Sequence, residues 1–406
     1  MKLNLLDKRL VTILLIVFVQ MVGAGMILPI LPLYAKNEFS MSATTVTLLV
    51  AAFYAAQFVG GPILGRWSDH VGRVPVLIVS QIGTVIAFIG FGIAWAPWVL
   101  FASRIFDGLT GGNIVVAQAY VTDITPREKR AQALGLISAM FGLGFFVGPA
   151  VGGLLVGLGP QVPYFVAAAA AAVVVLLTVF TLDESMTQSE REAIRASAVK
   201  LPIRDALRIR ALTLSATVVF LVQFALGLII ATFALFGEDV LFDTNPELGV
   251  GLLLGFVGLS QIITQTAILP NVLRWVGEEV SVVVGIVVRS IGLAIYAVTV
   301  SPILAIAGGV FFAMGGGLVL PPIQSIATKS VDDSKRGGLL GVVQSVSSLA
   351  IIVSTATAGL IYAVYPHLPN RVALVTSILS MIPAVMLVKR ATATRTEEDT
   401  WVPSGS

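Results

Sequence analysis

The sequence predicts an all-α membrane protein whose twelve transmembrane helices form two pseudo-symmetric six-helix bundles. Hydrophobic residues make up 57% of the 406 residues and charged residues only 12%, whereas an ordinary soluble domain carries roughly 25% charged residues. Apolar stretches of about 20 residues recur along the chain, and each is long enough to cross a hydrocarbon core of ~30 Å. One long polar stretch near the middle separates them into two sets of six.

Each apolar stretch is predicted to be a helix, because unpaired backbone polar groups are costly in lipid and only helices or closed barrels span membranes. Strands of a membrane barrel would be about ten residues long and would alternate apolar with polar side chains. The stretches here are longer and apolar throughout. The predicted spans are residues 10–34, 43–65, 75–95, 98–122, 131–157, 161–182, 209–236, 248–273, 279–299, 301–327, 337–363 and 370–389.

The domain organisation follows from this division and from an internal repeat. Arg130–Gly135 aligns with Arg336–Gly341, and Gly153 then falls on Gly359. A duplicated six-helix unit is typical of one transporter architecture, in which the substrate site lies between the halves. The predicted segments are an N-terminal bundle (1–182), a cytosolic linker (183–208), a C-terminal bundle (209–390) and a flexible cytosolic tail (391–406).

The distribution of basic residues predicts the orientation, because cytosolic loops carry an excess of Lys and Arg. With both termini and the linker in the cytosol, only Lys36 and Arg371 of the 25 Lys and Arg fall outside, and only Arg104 and Arg289 fall within spans. The first apolar segment, residues 10–33, is too long for a signal peptide. We expect a multi-pass protein of the plasma (inner) membrane with both termini cytosolic.

Composition also excludes several classes of function. Cysteine is absent, and the two histidines, His70 and His367, are predicted on opposite sides of the membrane, so we expect no metal site, no other cofactor and no enzyme. The net charge of +3 is modest and spread along the chain, so nucleic acid is not an expected partner. No phosphate-loop pattern is present, so ATP is not an expected energy source.

The loop after the second span carries the most specific motif in the chain, Gly65-Arg-Trp-Ser-Asp-His-Val-Gly-Arg-Val-Pro-Val76. It resembles the loop signature of the major facilitator superfamily, although His70 and Val74 stand where that family usually has basic residues. The resemblance implies the twelve-helix fold predicted above and a secondary transporter.

The same resemblance implies a conformational latch made of Asp69, Gly72, Arg73 and Asp123. Asp69 would pair with the other half when the transporter faces outward, and Arg73 would pair with Asp123. Such pairs favour one state and must break for the other. In the alternative interpretation, these charges only mark the cytosolic boundary.

The fourth span carries a second motif and the only acid predicted deep within a span. Arg104 is followed four residues later by Gly108, which resembles the helix 4 signature of the superfamily, and Asp107 lies between them. Arg104 and Asp107 share one helix face. Burial favours the neutral carboxyl group whereas a neighbouring guanidinium favours the carboxylate, so the pair is a candidate for proton coupling. A static ion pair is the alternative.

The fifth span contains Gly144, Gly148 and Gly152, a four-residue repeat that lets a neighbouring helix approach closely. Pro149 invites a bend, and Gly153 follows. The pattern resembles the antiporter signature of drug/proton exporters, which implies export by exchange with protons. Generic small-residue packing is the alternative.

Much of the first half resembles the bacterial tetracycline exporters, through Phe18–Pro32 and Thr122–Arg130. Those exporters carry an acid where this chain has Gln20, and Arg289 also stands where they have an acid. Gln20 cannot carry a proton or neutralise a cationic drug. We expect Arg289 to be structural, because the ninth helix is peripheral in this fold.

Polar and aromatic side chains within the spans predict the substrate cavity. Amide groups form hydrogen bonds without fixed charge, so such a cavity suits neutral or weakly charged amphiphiles. Any one glutamine could instead bond a neighbouring helix. The predicted cavity residues are Gln20, Tyr54, Gln57, Gln223, Gln261, Gln265, Gln324 and Gln344.

Together these observations predict a monomeric, proton-driven exporter of small amphipathic compounds, with protons and the lipid bilayer as its other partners. A lipid or glycolipid translocator of the same fold is one alternative, because Arg104 and Arg289 outnumber Asp107 within the spans. A receptor or scaffold on a degenerate transporter fold is another.

Overall fold

A computed structural model describes residues 8–111, 113–126, 129–186, 210–329 and 336–400. Most of the predicted linker, residues 187–208, lies outside this part, so the predicted domain division stays a prediction. We call residues 8–186 the first half and residues 210–400 the second half. The helices are α1 (Lys8–Phe39), α2 (Ala43–Val71), α3 (Arg73–Gly92), α4 (Pro97–Thr110), α5 (Asn113–Ile124), α6 (Arg130–Val156), α7 (Val162–Thr181), α8 (Arg210–Phe236), α9 (Pro246–Ile263), α10 (Leu269–Tyr296), α11 (Pro302–Lys329), α12 (Arg336–Val364), α13 (Leu368–Leu379) and α14 (Met381–Thr400).

These helices supply the twelve predicted crossings. Eleven segments of the described chain are long and apolar enough to span a membrane, and one of them, Pro246–Tyr296, has 51 residues. At 1.5 Å per residue that segment would be about 75 Å long, far more than one crossing requires. Gly277 interrupts it with φ 79° and ψ 178°, a conformation that glycine adopts easily. The segment therefore accounts for two crossings.

Several boundaries differ from those predicted. The predicted span 98–122 is interrupted after Thr110, where Gly111 ends α4 and a new helix, α5, begins at Asn113. The last helix continues to Thr400 instead of ending near residue 389. Two π-helical turns, Gly237–Leu241 and Thr264–Ile268, follow α8 and α9. Periodicity alone gives no signal for these local changes.

The hydrophobic core differs between the two ends of the bundle. We call the end carrying the Ser68–Arg73 loop the motif end, and the end where α1 finishes the distal end. At the distal end one core joins both halves, with Ile30 and Phe236 among its members. At the motif end the first half has its own core around Val121, and the second half has another around Ile323. The halves are thus packed together distally.

Small residues make the distal contact close. A Cβ atom at Gly153 of α6 would lie 2.9 Å from Leu248 Cα of α9, and one at Gly359 of α12 would lie 2.7 Å from the carbonyl oxygen of Ala43, the first residue of α2. Real Cβ atoms do not approach other atoms so closely, so both contacts depend on glycine. By contrast, Gly135 and Gly341, near the motif ends of α6 and α12, face open space.

Candidate functional site

The motif-end loop is organised around the buried guanidinium of Arg73. Its Nη1 lies 2.6 Å from Asp69 Oδ1, and its Nε donates a hydrogen bond of 3.0 Å to Asp123 Oδ2. Nη1 also donates to Ser68 Oγ at 2.7 Å. One rigid fork therefore holds the end of α2 against the end of α5, both within the first half.

Glu184 completes this cluster, although the sequence motifs did not identify it. Its carboxylate accepts hydrogen bonds from the backbone N–H groups of Arg73 (2.9 Å) and Val74 (3.2 Å). Those groups open α3 and have no partner within the helix, so an acid there is stabilised by unsatisfied donors and the helix dipole. The four-residue separation of Asp69 and Arg73 is visible in the sequence, but the contact with Glu184 spans 111 positions.

The structure places Asp69 on Arg73 and not on the second half. Among the described residues, no ion pair joins the two halves at the motif end. The predicted pairing of Asp69 with the second half belongs to a different conformation and stays a prediction.

At the distal end, an ion-pair cluster that the sequence analysis missed joins the halves. Lys36 Nζ lies 2.7 Å from Glu238 Oε2 and 2.6 Å from Asp239 Oδ1, linking α1 to the π-helical turn after α8. Asn37 donates to Glu238 at 2.9 Å, and Tyr362 of α12 donates to Asp239 at 2.7 Å. The only sequence signal was that Lys36 is one of two basic residues predicted outside.

Arg104 and Asp107 are both buried in α4, each 8% exposed. Arg104 Nη1 lies 3.6 Å from Asp107 Oδ2, which is an ion contact longer than a hydrogen bond. The guanidinium centre lies 5.0 Å from the Phe53 ring centroid and 5.5 Å from that of Phe91, and Arg104 Nε has no hydrogen-bond partner among the described residues. The Asp107 carboxylate is therefore close to the Arg104 guanidinium without forming a hydrogen bond to it.

The glycine stripe of α6 packs against α1. A Cβ atom at Gly148 would lie 2.9 Å from Gly25 Cα, and one at Gly152 would lie 2.9 Å from Met26 Cα; Gly144 meets Met21 in the same way. On its other side, α6 meets the second half, where Gly251 of α9 approaches the carbonyl of Pro149. The antiporter-like motif thus lies between α1 and α9, at the junction of the halves.

The predicted cavity residues are not gathered into one contact network. Gln57 donates to the Gly111 carbonyl oxygen at 3.4 Å within the first half, and Gln223 donates to Ser347 Oγ at 2.8 Å within the second. Among the described residues, no hydrogen bond joins predicted cavity residues across the halves. Gln324 and Gln344 are exposed, and the partly buried members are Gln20, Tyr54, Gln57, Gln261 and Gln265.

Comparison with known proteins agrees with this architecture. Residues 13–355 match the sequence profile of the Major Facilitator Superfamily, with a second match over residues 245–403. The chain is 31% identical over 362 residues to the class C tetracycline resistance protein of Escherichia coli, covering 88% of this chain and 90% of that protein. It is 27% identical over 375 residues to multidrug resistance protein 2 of Bacillus subtilis (strain 168), covering 91% and 93%.

A solved structure shares the fold. A bacterial homolog of the human lysosomal transporter Spinster, in an inward-facing and unoccupied conformation, superposes with a TM-score of 0.75 and 17% identity, covering 98% of this chain and 100% of that one. The fold class and the family resemblance predicted from the sequence are confirmed.

Proposed function

The chain is a multi-pass membrane transporter of the Major Facilitator Superfamily, and from this we propose that it exports small amphipathic compounds in exchange for protons by alternating access. The observation that carries the proposal is the Arg104–Asp107 pair. Asp107 is the only buried carboxylate among the described residues, and acids inside membrane bundles commonly serve proton transfer. The resemblance to tetracycline and multidrug resistance proteins supports the direction and the class of cargo.

The geometry of the pair supports an exchangeable proton. A 3.6 Å ion contact stabilises the carboxylate without a hydrogen bond to Arg104, and no hydrogen bond to the Asp107 carboxylate comes from another described residue. A small movement of α4 would change both its distance from Arg104 and its hydration, and so its proton affinity. Proton binding and conformation would then be linked.

The two ends of the bundle support alternating access. The distal cluster around Lys36 closes one end in this structure, while Asp69 at the other end is held by Arg73. In the opposite state we expect the distal cluster to separate and Asp69 to contact the second half. We propose that the protein lies in a prokaryotic inner membrane with the motif end and both termini in the cytosol. In that orientation, the distally closed arrangement would face the cytosol.

The energy available is sufficient for export. A proton returning through about 100 mV releases ~2.3 kcal/mol before any pH gradient is counted. This supports roughly a 50-fold gradient of a neutral solute.

The test is drug-induced proton movement in proteoliposomes with an imposed pH gradient, using a panel of neutral, cationic and anionic amphiphiles. We expect wild type to move protons with one class and Asp107→Asn to move none. Asp243→Asn, which neutralises an exposed acid between α8 and α9, is the matched control and should retain coupling.

Coupling that survives in Asp107→Asn would make Asp107 a static partner of Arg104. If no amphiphile moves protons with wild type, drug export is wrong, and exchange of a fluorescent phospholipid between leaflets becomes the measurement. That alternative is favoured by Arg289, a second buried cation in the spans with no acid partner among the described residues.

A further inference from the structure

The second half contains one buried charge that the proposed coupling does not use. Arg289 of α10 is 2% exposed and is the only buried Lys, Arg, Asp or Glu among the described residues from 210 onward. Its Nη2 donates to the Val222 carbonyl oxygen at 3.0 Å, and its guanidinium centre lies 4.3 Å from the Phe312 ring centroid. Nε has no partner, and no carboxylate lies within ion-pair distance among the described residues. The charge is therefore held by neutral groups alone.

A small space beside this charge is lined by a second polar group. A Cβ atom at Gly316 of α11 would lie 3.5 Å from Arg289 Nη1 and 3.8 Å from Gln261 Oε1, and one at Gly317 would lie 3.6 Å from Gln261 Nε2. The absence of a side chain at Gly316 thus leaves a space of about methyl size between the Arg289 guanidinium and the Gln261 amide. An atom placed there would be in van der Waals contact with both groups. The Arg289 guanidinium and the Gln261 amide border the same space, with the amide oxygen facing Gly316 and the amide nitrogen facing Gly317. No carboxylate among the described residues contacts either group.

The Gln261 side of this space adjoins the junction of the halves. Gly258 and Ile262 of α9 pack against Phe146 and Gly142 of α6, and Gln261 lies between them in sequence at the edge of that contact. The Gln261 side chain is only partly buried. The helix continues directly into the π-helical turn Thr264–Ile268, a feature that frequently occurs at functional sites. Gln261 therefore connects the junction of the halves with the space beside Arg289.

We propose that Arg289 and Gln261 form the subsite for a monoanionic group, most simply a carboxylate, of the transported compound. The inference rests on the proposed function and narrows its substrate class from amphiphiles in general to amphiphiles with one negative charge. The guanidinium supplies charge-assisted hydrogen bonds, and a half-turn of the Gln261 amide would present its NH2 group as a neutral donor. The absence of a side chain at Gly316 leaves room for one oxygen atom beside the guanidinium. An anion there would also compensate a buried charge that is otherwise unpaired.

The test uses two probes with the same aromatic body, 1-pyrenebutyrate and its uncharged amide. Equilibrium binding is measured by fluorescence with purified protein, and transport with proteoliposomes. Wild type should bind and export the carboxylate better than the amide. Arg289→Gln should lower carboxylate affinity about tenfold or more, the loss expected for a charge-assisted contact, and change amide affinity little. Arg289→Lys should recover part of the loss.

Two further variants separate this role from a purely structural one. Gly316→Val fills the space without removing the charge and should also lower carboxylate affinity selectively. Arg371→Gln is the matched control, because Arg371 likewise donates to a carbonyl, that of Ala297, and lies 5.2 Å from an aromatic ring centroid, that of Tyr365, but it is exposed. It should leave both affinities unchanged.

The outcomes distinguish this inference from the proposed function. Equal affinity of wild type for both probes, or equal loss of both in Arg289→Gln and Gly316→Val, would overturn the anion subsite. Selective carboxylate binding without any proton-driven export would sustain the subsite and contradict the proposed function. Displacement of pyrenebutyrate by phosphatidylglycerol, but not by soluble benzoate, would assign the site to a lipid headgroup. That result would overturn the proposal that the site binds the anionic group of a small transported compound.

Discussion

Lys36 Nζ lies 2.6 Å from Asp239 Oδ1, and this contact joins the distal end of α1 to the π-helical turn after α8 across 203 positions of sequence. The same amine contacts Glu238, and Tyr362 approaches Asp239 from α12. Residues of α1, of the π-helical turn after α8 and of α12 thus form one cluster that joins the two halves. This cluster can stabilise only the conformation in which the distal end is closed.

Lys36→Gln should therefore shift the protein toward a distally open state. Lys36 is 33% exposed and its acids 19% and 33%, so solvent screens each ion pair to about 1 kcal/mol or less. The loss of both pairs lowers the closed-to-open ratio by at most roughly 30-fold. Spin labels at Leu158→Cys and Val364→Cys, two exposed distal positions in opposite halves, would report the separation by pulsed electron resonance. The chain has no native cysteine to interfere.

Arg9→Gln is the control for this measurement, because the Arg9–Asp183 ion pair at 3.3 Å lies within the first half. It should leave the distal distance distribution unchanged. A combined Lys36→Glu and Asp239→Lys exchange should restore part of the closed population. An unchanged distribution in Lys36→Gln would show that the cluster does not hold the distal end closed.

Gly359→Ala tests the distal contact without changing charge. The new methyl group would lie 2.7 Å from the Ala43 carbonyl oxygen and closer still to Thr47 of α2. Because the backbone of α2 cannot rotate away, we expect a penalty of about 1–3 kcal/mol on the closed state. The same pair of spin labels should show more distal opening, whereas Gly341→Ala, in open space on the same helix, should show none.

Gly148→Ala should destabilise the fold by separating α1 from α6. Its Cβ would lie 2.9 Å from Gly25 Cα, so we expect a loss of about 1–3 kcal/mol in unfolding free energy, measured as a lower thermal midpoint in detergent. Gly135→Ala, on the same helix but facing open space, should instead gain roughly 0.5–1 kcal/mol from helix propensity. Equal behaviour of the two variants would contradict the packing role of the stripe.

Arg73→Gln should lower stability by about 1–3 kcal/mol, because it leaves the carboxylates of Asp69 and Asp123 without their shared cation. Arg73→Lys should recover only part of the lost stability, since an ammonium group lacks the planar array of donors with which the guanidinium contacts both acids. The measurement is the thermal midpoint of purified protein. Full recovery by lysine would show that charge alone, and not geometry, holds the loop.

Local sequence patterns were enough for the crossings, because lipid forces each apolar stretch to satisfy its own backbone. The contact of Asp69 with Arg73 was not predicted, although their four-residue separation in the sequence allows it. The interruption after Thr110 could not be predicted, since Gly111 and Gly112 are tolerated within membrane helices and are also suited to a break.

The sequence by itself determined that this chain is a twelve-helix membrane protein and placed Asp107 deep within a span, because hydropathy and helix periodicity act within a single segment. Tertiary structure alone decided which charges meet. Lys36 with Asp239, Glu184 with the start of α3, and Arg289 with Gly316 and Gln261 involve residues on different segments. Their proximity depends on how whole helices pack. The sequence pattern within one segment does not determine which other segments that helix will contact.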